Sequence, residues 1–484
     1  QALAQDTSPI RMVFTTMTPL SVLLPIPPDT DPLEWMFEQG LTDGLPVVVP
    51  TRGKVQEMLS GTAREAADVL GKMPPSYNVV TVEHVAIAAV MAGCAPRHFR
   101  VVVAGAEAFL EDAYGLHSTS STTMGAAQFL LVNGPAREEC QINYKHGVLG
   151  SGHRANATIC RALKLLLNNR GGSKLGGTES TTLGSPLKYG QCIAEWEERC
   201  PAWTPHHVEM GFSPTDSVVT AMVSVGGPAQ VVDFGIQTAD ELIKLFAQTM
   251  QTLLSAKISK INEVLLVCSP EHYDTLVKGG ISSKQMLRER LFKECQVEKF
   301  ERTDAKWDSG SYEQRLGIQT SGPKIFAPES LHIIVAGGPA GKFSAFLPSF
   351  GWGSGKLPKQ YEKYGVRFTS KKLEDVGMSE QAEVKIPNPA EDTAVLDPRG
   401  VVEIPSMKLC ARGPISEGAT FALVDISKPG GNVLLDKLEA LLKDRFPTAS
   451  VKRFRKPTIG RPVPPEILAS IQQECKYVIT ALAD

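Results

Sequence analysis

Gly150-Ser-Gly-His-Arg-Ala-Asn-Ala157 is the stretch whose residue types most plainly suit chemistry. It directly precedes an amphipathic helical pattern. Free backbone amides at that helix start attract anions, and Gly150 and Gly152 let a ligand come close. Arg154 adds a planar fork of donors suited to a carboxylate or phosphate, and Asn156 can cap the helix or touch the ligand. Ala155 stands where a dinucleotide fingerprint needs its third glycine, so the stretch is either a small-anion site or a structural turn. Ser118-Thr-Ser-Ser-Thr-Thr123 supplies six hydroxyls after His117. Thr122 and Thr123 are the candidate contacts of a polar cradle, against the plainer reading of a solvated loop. Asn133 closes an apolar run and Asn143 follows a short turn; each contacts a ligand or satisfies backbone groups. Cys94 is a candidate nucleophile, but it lies past a helix C-terminus, where the dipole disfavours thiolate, so a small buried hydrophobe is the competing reading. His98 and His117 are the candidate bases. Lys342 ends the Gly-rich run Ala336-Gly-Gly-Pro-Ala-Gly-Lys342, and Phe343 follows it where a P-loop has Ser or Thr, leaving a small anion rather than a nucleotide as its ligand.

The elements that must position these residues alternate between helix and strand, an α/β pattern in several domains. Residues 1–30 read as a flexible lead-in or the remnant of a targeting segment. Residues 31–214 form an N-terminal α/β domain. Within it Asp31 caps a helix that starts with Pro32; Thr42 to Thr51 is a turn and a short apolar strand; Thr51 caps a helix to Leu59; and Thr81 caps a buried helix to Gly93. Phe99–Ala104 is expected as a strand with helix again over Glu107–Tyr114, then the hydroxyl loop, the strand Gln128–Asn133 and the helix Ala155–Asn169. Residues 215–358 form a second α/β region, with strands at Ser217–Val225, Glu263–Cys268 and Leu331–Ala336 and helices at Ala239–Leu254 and Ser283–Cys295. Residues 359–413 are an irregular connector. Residues 414–484 alternate strand, helix, strand, helix, strand, which implies right-handed crossovers and a parallel, flavodoxin-like or Rossmann-like βαβαβ unit. About 70 residues is short for a doubly wound domain, and its last strand ends at the edge where such sheets bind ligands. The chain is therefore expected to continue past Asp484.

Composition narrows the class. The 484 residues are 42% hydrophobic and 21% charged, with 50 basic against 52 acidic side chains and a net charge of −2. No basic stripe marks a nucleic-acid partner, and no apolar run approaches the length of a membrane-spanning helix. The nine cysteines are odd in number, widely spaced and without a CxxC pair. That disfavours a disulfide framework or zinc knuckle and favours a reducing compartment, the cytoplasm or a reducing organelle lumen. No metal site and no cofactor is expected.

Several of these segments, in order, resemble the UGSC-type proteins, named for a selenocysteine or cysteine followed by Gly-Ser-Cys: Thr42-Asp-Gly-Leu-Pro-Val-Val-Val-Pro-Thr51, Met91-Ala-Gly-Cys94, Asn133-Gly-Pro135, Gly150 to Ile159, Ala336 to Ser344, Gly460-Arg-Pro462 and Tyr477 to Asp484. The resemblance is distantly shared with selenoprotein B of the glycine, sarcosine and betaine reductases. It implies a redox motif directly after the strand Tyr477 to Asp484, with the motif's second thiol resolving the adduct formed on the first chalcogen. Loops after the first two strands of that unit would flank the site, which makes Asp425 and Arg461 its candidate catalytic neighbours, with Asp425 alternatively capping a turn.

Three functions compete. The first is a selenol- or thiol-dependent oxidoreductase that reductively cleaves a small amine or sulfur metabolite, partnered by a thiol electron-donor protein and, as an option, by a second copy of itself. The second is a hydrolase or lyase centred on the N-terminal domain, using Cys94, His117 and Arg154. The third is a non-catalytic subunit binding a small anion at Gly150–Asn156. The first is preferred.

Overall fold

The computed structural model describes residues 21–233, 235–255, 259–298, 321–351, 366–373, 394–399, 415–427, 431–457 and 462–481. Asp31 caps the helix Pro32–Glu38 by accepting from the Leu33 and Glu34 amides at 2.8 and 3.1 Å. Helix α1, Val82–Ala92, opens on a capping box: the Thr81 hydroxyl accepts from the His84 amide and His84 Nδ1 accepts from the Thr81 amide. It ends at Gly93, whose φ of +86° is the left-handed stop that glycine takes without strain.

Two expectations for this region are corrected. Phe99–Leu110 is one helix, α2, not a strand followed by helix. Its β-branched run, Val101-Val-Val103, is strand-like by propensity, but packing overrides propensity here. Gly105 lies so close to Leu163 and Leu130 that an added Cβ would stand 2.9 Å from Leu163 Cδ1. Residues 46–50 pair with no strand, although the Val48 amide donates to Met91 O at 3.0 Å. The hydroxyl run is also more ordered than a loop, since Leu116–Ser120 is a helical turn with Ser118, Thr119 and Ser120 buried.

Strand β1, Ala126–Asn133, runs parallel to β2, Gln191–Ala194, after helix α3, Arg154–Asn169. On its other side β1 pairs antiparallel with β3, Val218–Val225. The second sheet holds β4, Ala229–Val232; β5, Val264–Cys268; β6, Leu331–Val335; and β7, Phe343–Pro348, in the order β6-β5-β7-β4. Strand β8, Thr369–Lys372, closes the first sheet, whose order is β8-β3-β1-β2. Alternation then sets the layers. Ala126, Leu130 and Val132 pack with the helices α1, α2 and α3, whereas Ala127, Phe129 and Leu131 pack with Leu265 and Val267 of β5 and Ile334 of β6. The opposite face of β5, with Val264, Leu266 and Cys268, packs with α4, Ala239–Thr252; α5, Pro270–Lys278; and α6, Lys284–Glu294. The arrangement is helix, sheet, sheet, helix, with one shared core between the sheets. Both the β1–β3 ladder and that core run across residue 214. Within the stretch read as a lead-in, Leu23–Pro25 pairs antiparallel with Ala394–Leu396.

The C-terminal unit follows the expected alternation. Strand β9, Thr420–Asp425, lies between β10, Ser450–Arg455, and β11, Tyr477–Ala481, and all three are parallel. Helix α7, Gly431–Arg445, packs Leu435 against the face carrying Leu423 and Ala481. Helix α8, Pro465–Glu474, packs Ile471 against the other face, carrying Ala422 and Val424. This three-stranded, two-sided unit agrees with an α/β fold in more than one part. None of the helices in the described residues is long and apolar enough to cross a membrane.

Candidate functional site

In the order β10-β9-β11 the chain leaves β9 toward one neighbour and returns to the other, so the strand order reverses between β9 and β11. Doubly wound sheets bind ligands at the carboxyl ends of their strands where the order reverses in this way. Asp425 ends β9 here. Its Oδ1 accepts from the Ser427 amide at 2.7 Å, and the Lys456 amide donates to Asp425 O at 2.8 Å. Ser427 takes a φ of +67°, uncommon for a residue with a side chain. Its hydroxyl donates to Lys456 O and accepts from Arg455 Nε. Arg455 Nε also lies 3.7 Å from Asp425 Oδ2. The Ile426 amide donates to Ala481 O at 3.2 Å, which ties this turn to the tip of β11. Asp425 therefore organises the turn that faces the β11 tip. Replacing it with alanine should cost about 1 kcal/mol, one side-chain-to-amide hydrogen bond, while Asp425→Asn keeps the acceptor and most of the stability; paired urea titrations check this. Arg461, its expected companion, lies outside the described residues.

The N-terminal candidates are brought together only in part. Arg154 donates to Gly93 O at 2.8 Å and to Cys94 O at 3.0 Å, closing the end of α1. Asn156 and Asn143 form a reciprocal pair: the Asn143 amide donates to Asn156 Oδ1 at 2.7 Å and Asn156 Nδ2 to Asn143 O at 2.8 Å. Gly150 and Gly152 lie in the exposed turn before α3, and Gly152 has a φ of +106°. Thr122 accepts from the Met124 amide, and Thr123 O accepts from the Thr182 amide. His117 stacks on Tyr77 and lies at a shallow cleft with Lys72 and Asp112, to which Pro462 of the C-terminal unit also contributes. Cys94 is buried, and burial pushes its thiol up to about 12 despite the opposing Thr158 hydroxyl and Arg154. Lys342 donates to Ile236 O and stands 3.5 Å from Asp233 Oδ2, away from the others.

A polar network that sequence reasoning missed lies at the carboxyl ends of β1 and β2. Asn133 donates to Glu195 Oε2 at 2.7 Å and to Glu197 Oε1 at 2.9 Å. Lys284, almost wholly buried, donates to Glu195 Oε1 at 2.8 Å. Arg137 donates to Glu195 O and pairs with Glu198. His206 Nε2 meets His332 Nδ1 at 3.0 Å, and His332 Nε2 meets Glu263 at 2.6 Å. The signal available was the acidic run Glu195-Trp-Glu-Glu198 directly after an apolar strand. No group of three or more His, Cys, Asp or Glu among the described residues is placed to hold a metal ion.

Residues 394–484 match the model of the UGSC family. The matched stretch contains the whole three-stranded parallel sheet, so the C-terminal unit is of UGSC type. No curated protein matches the chain, and no solved structure does.

Proposed function

We propose that this UGSC-type unit makes the protein a selenol- or thiol-dependent oxidoreductase, with the reactive chalcogen carried just beyond the tip of β11. The observation that supports the reading most is the family match laid over the order reversal between β9 and β11. A chalcogenolate there would sit among the starts of helices α7 and α8, whose dipoles favour negative charge, with Arg455 and Lys456 nearby. Low pKa and exposure are what a redox cysteine or selenocysteine requires. It would attack the substrate or an oxidised partner. The motif's second thiol would then attack that chalcogen, expelling the bound fragment with its electron pair and a proton and leaving a disulfide or selenenyl sulfide that two electrons from a thiol donor protein reduce. The buried thiols elsewhere suit this role poorly: burial raises Cys94, Cys200 and Cys295 to about 12 and lifts Cys192 well above its ordinary value. The test is the nucleotide sequence after the Asp484 codon. An in-frame selenocysteine or cysteine codon followed by Gly-Ser-Cys is expected, and an ordinary stop with neither would contradict the reading.

A further inference from the structure

A separate constellation lies at one edge of the second sheet, independent of the C-terminal unit. Asp233 follows β4, His272 lies in the first turn of α5, and Ser344 is the second residue of β7. Ser344 Oγ stands 2.7 Å from His272 Nδ1 and accepts from the Ser269 amide at 3.0 Å. With that amide occupying the oxygen, the hydroxyl proton is free to be donated to Nδ1, which leaves the imidazole proton on Nε2. Nε2 faces Asp233 Oδ2 at 3.8 Å. Both atoms are buried and without a hydrogen-bond partner, and Asp233 Oδ2 is also ion-paired with Lys342 Nζ at 3.5 Å. Asp233 is oriented through its other oxygen, which accepts from the Gly235 and Ile236 amides at 2.8 Å each. Phe246 stands edge-on to the imidazole at 5.5 Å and fixes its plane.

We infer that Ser344, His272 and Asp233 form a nucleophilic serine site acting on small esters or thioesters. Such sites are recognised by geometry and roles rather than by fold or chain order. Here the ring is turned over, so that the hydroxyl meets Nδ1 and the carboxylate faces Nε2. Ser344 Oγ attacks the acyl carbon as its proton passes to Nδ1. The carbon–leaving-group bond breaks with its electron pair on the leaving group, which takes that proton. Water, deprotonated by the same nitrogen, then hydrolyses the acyl-serine and restores the hydroxyl. Asp233 is the positioning residue that balances the transient imidazolium. Burial lowers His272 to about 4, although Asp233 opposes this, so the ring is unprotonated at neutral pH, with its basicity reduced. Ser344 and His272 are buried, and the segment that would have to open for a substrate to reach them is the Gly-rich loop leading into β7, in which Pro339 and Ala340 are exposed and Gly337 and Gly341 adopt φ of +117° and +118°, conformations that let a short loop fold back.

The experiment treats the full chain with a fluorophosphonate–biotin probe and maps adducts by peptide mass spectrometry. A single adduct on Ser344 is expected, absent in Ser344→Ala and unchanged in Ser282→Ala. His272→Gln, which preserves side-chain bulk, should slow labelling by about 10²-fold, the range for loss of a general base, and Asp233→Asn should slow it by a smaller factor. Thermal melts of each variant separate misfolding from lost reactivity. No adduct on Ser344 in a chain that melts cooperatively would overturn the inference, as would undiminished labelling of a folded His272→Gln protein.

Discussion

Lys284→Met should lower the unfolding free energy of the two-sheet core by about 3–5 kcal/mol, the cost of removing one partner of a buried ion pair. Glu195 has no exposed surface, and its Oε2 accepts from Asn133 Nδ2 and from the His206 amide, each at 2.7 Å. Those two donors do not neutralise the carboxylate. Lys284 does, at 2.8 Å, with Glu209 as its second anion at 3.6 Å. Methionine fills the volume of the lysine stem, so the loss isolates the charge rather than a cavity. The double variant Lys284→Met/Glu195→Gln removes both charges and should recover a large part of the difference, because what costs most is the charge left alone. Urea unfolding at neutral pH measures all three proteins. A loss below about 1 kcal/mol in the single variant, the level of an exposed pair, would show that the network carries no such charge.

The second large effect is a steep loss of stability on the acid side of neutrality. Burial lowers His84, His98 and His272 from 6.5 to about 4, with Arg170 assisting at His84, Arg97 and Arg154 assisting at His98, and Asp233 opposing at His272. Burial drives His206 well below its ordinary value too, with His332 and Lys284 adding to the shift. Below pH 6.5 the unfolded chain takes up protons that the folded chain refuses until about pH 4. The stabilisation is therefore complete above 6.5 and is lost as the pH falls through that window. Each such histidine contributes a slope of up to about 1.4 kcal/mol per pH unit. Urea midpoints taken from pH 7 to pH 4 should fall throughout. His98→Asn, which keeps an acceptor for the Ala95 amide that His98 Nδ1 serves at 3.2 Å, should flatten the curve. A flat profile in the parent protein would refute the account of these rings as neutral buried groups.

The C-terminal unit was legible because its signals agree at every level. Thr420-Phe-Ala-Leu-Val-Asp425 is a short apolar run, the helices after it are polar on one face, and the structure places each element within a few residues of its expected position. Phe99–Leu110 misled because local propensity and tertiary packing disagree, and the close approach at Gly105 cannot be seen from neighbours in sequence. The αββα layering was hidden for a similar reason. Strand β1 is buried on both faces, so its residues show no alternation to say that one side meets helices and the other a second sheet. The polar sites were legible residue by residue but not as partners: Arg154 and Asn156 read as ligand donors until their own chain supplied the acceptors. Asn133 was named without Glu195 or Lys284, which lie 62 and 151 positions farther along the sequence. Nothing local links Asp233, His272 and Ser344, since three different elements carry them.

The central claim, a reactive chalcogen beyond β11, is tested most directly by alkylating the native full-length gene product with iodoacetamide at pH 6 and locating the adducts by mass spectrometry. Ordinary thiols are largely protonated there, and seven of the cysteines in the described residues are buried while Cys475 is half-buried. The account predicts one fast adduct on a selenocysteine or cysteine that follows Tyr477–Ala481, formed well before any other. Adducts confined to Cys475 or to the buried thiols, with none beyond that strand, would contradict it.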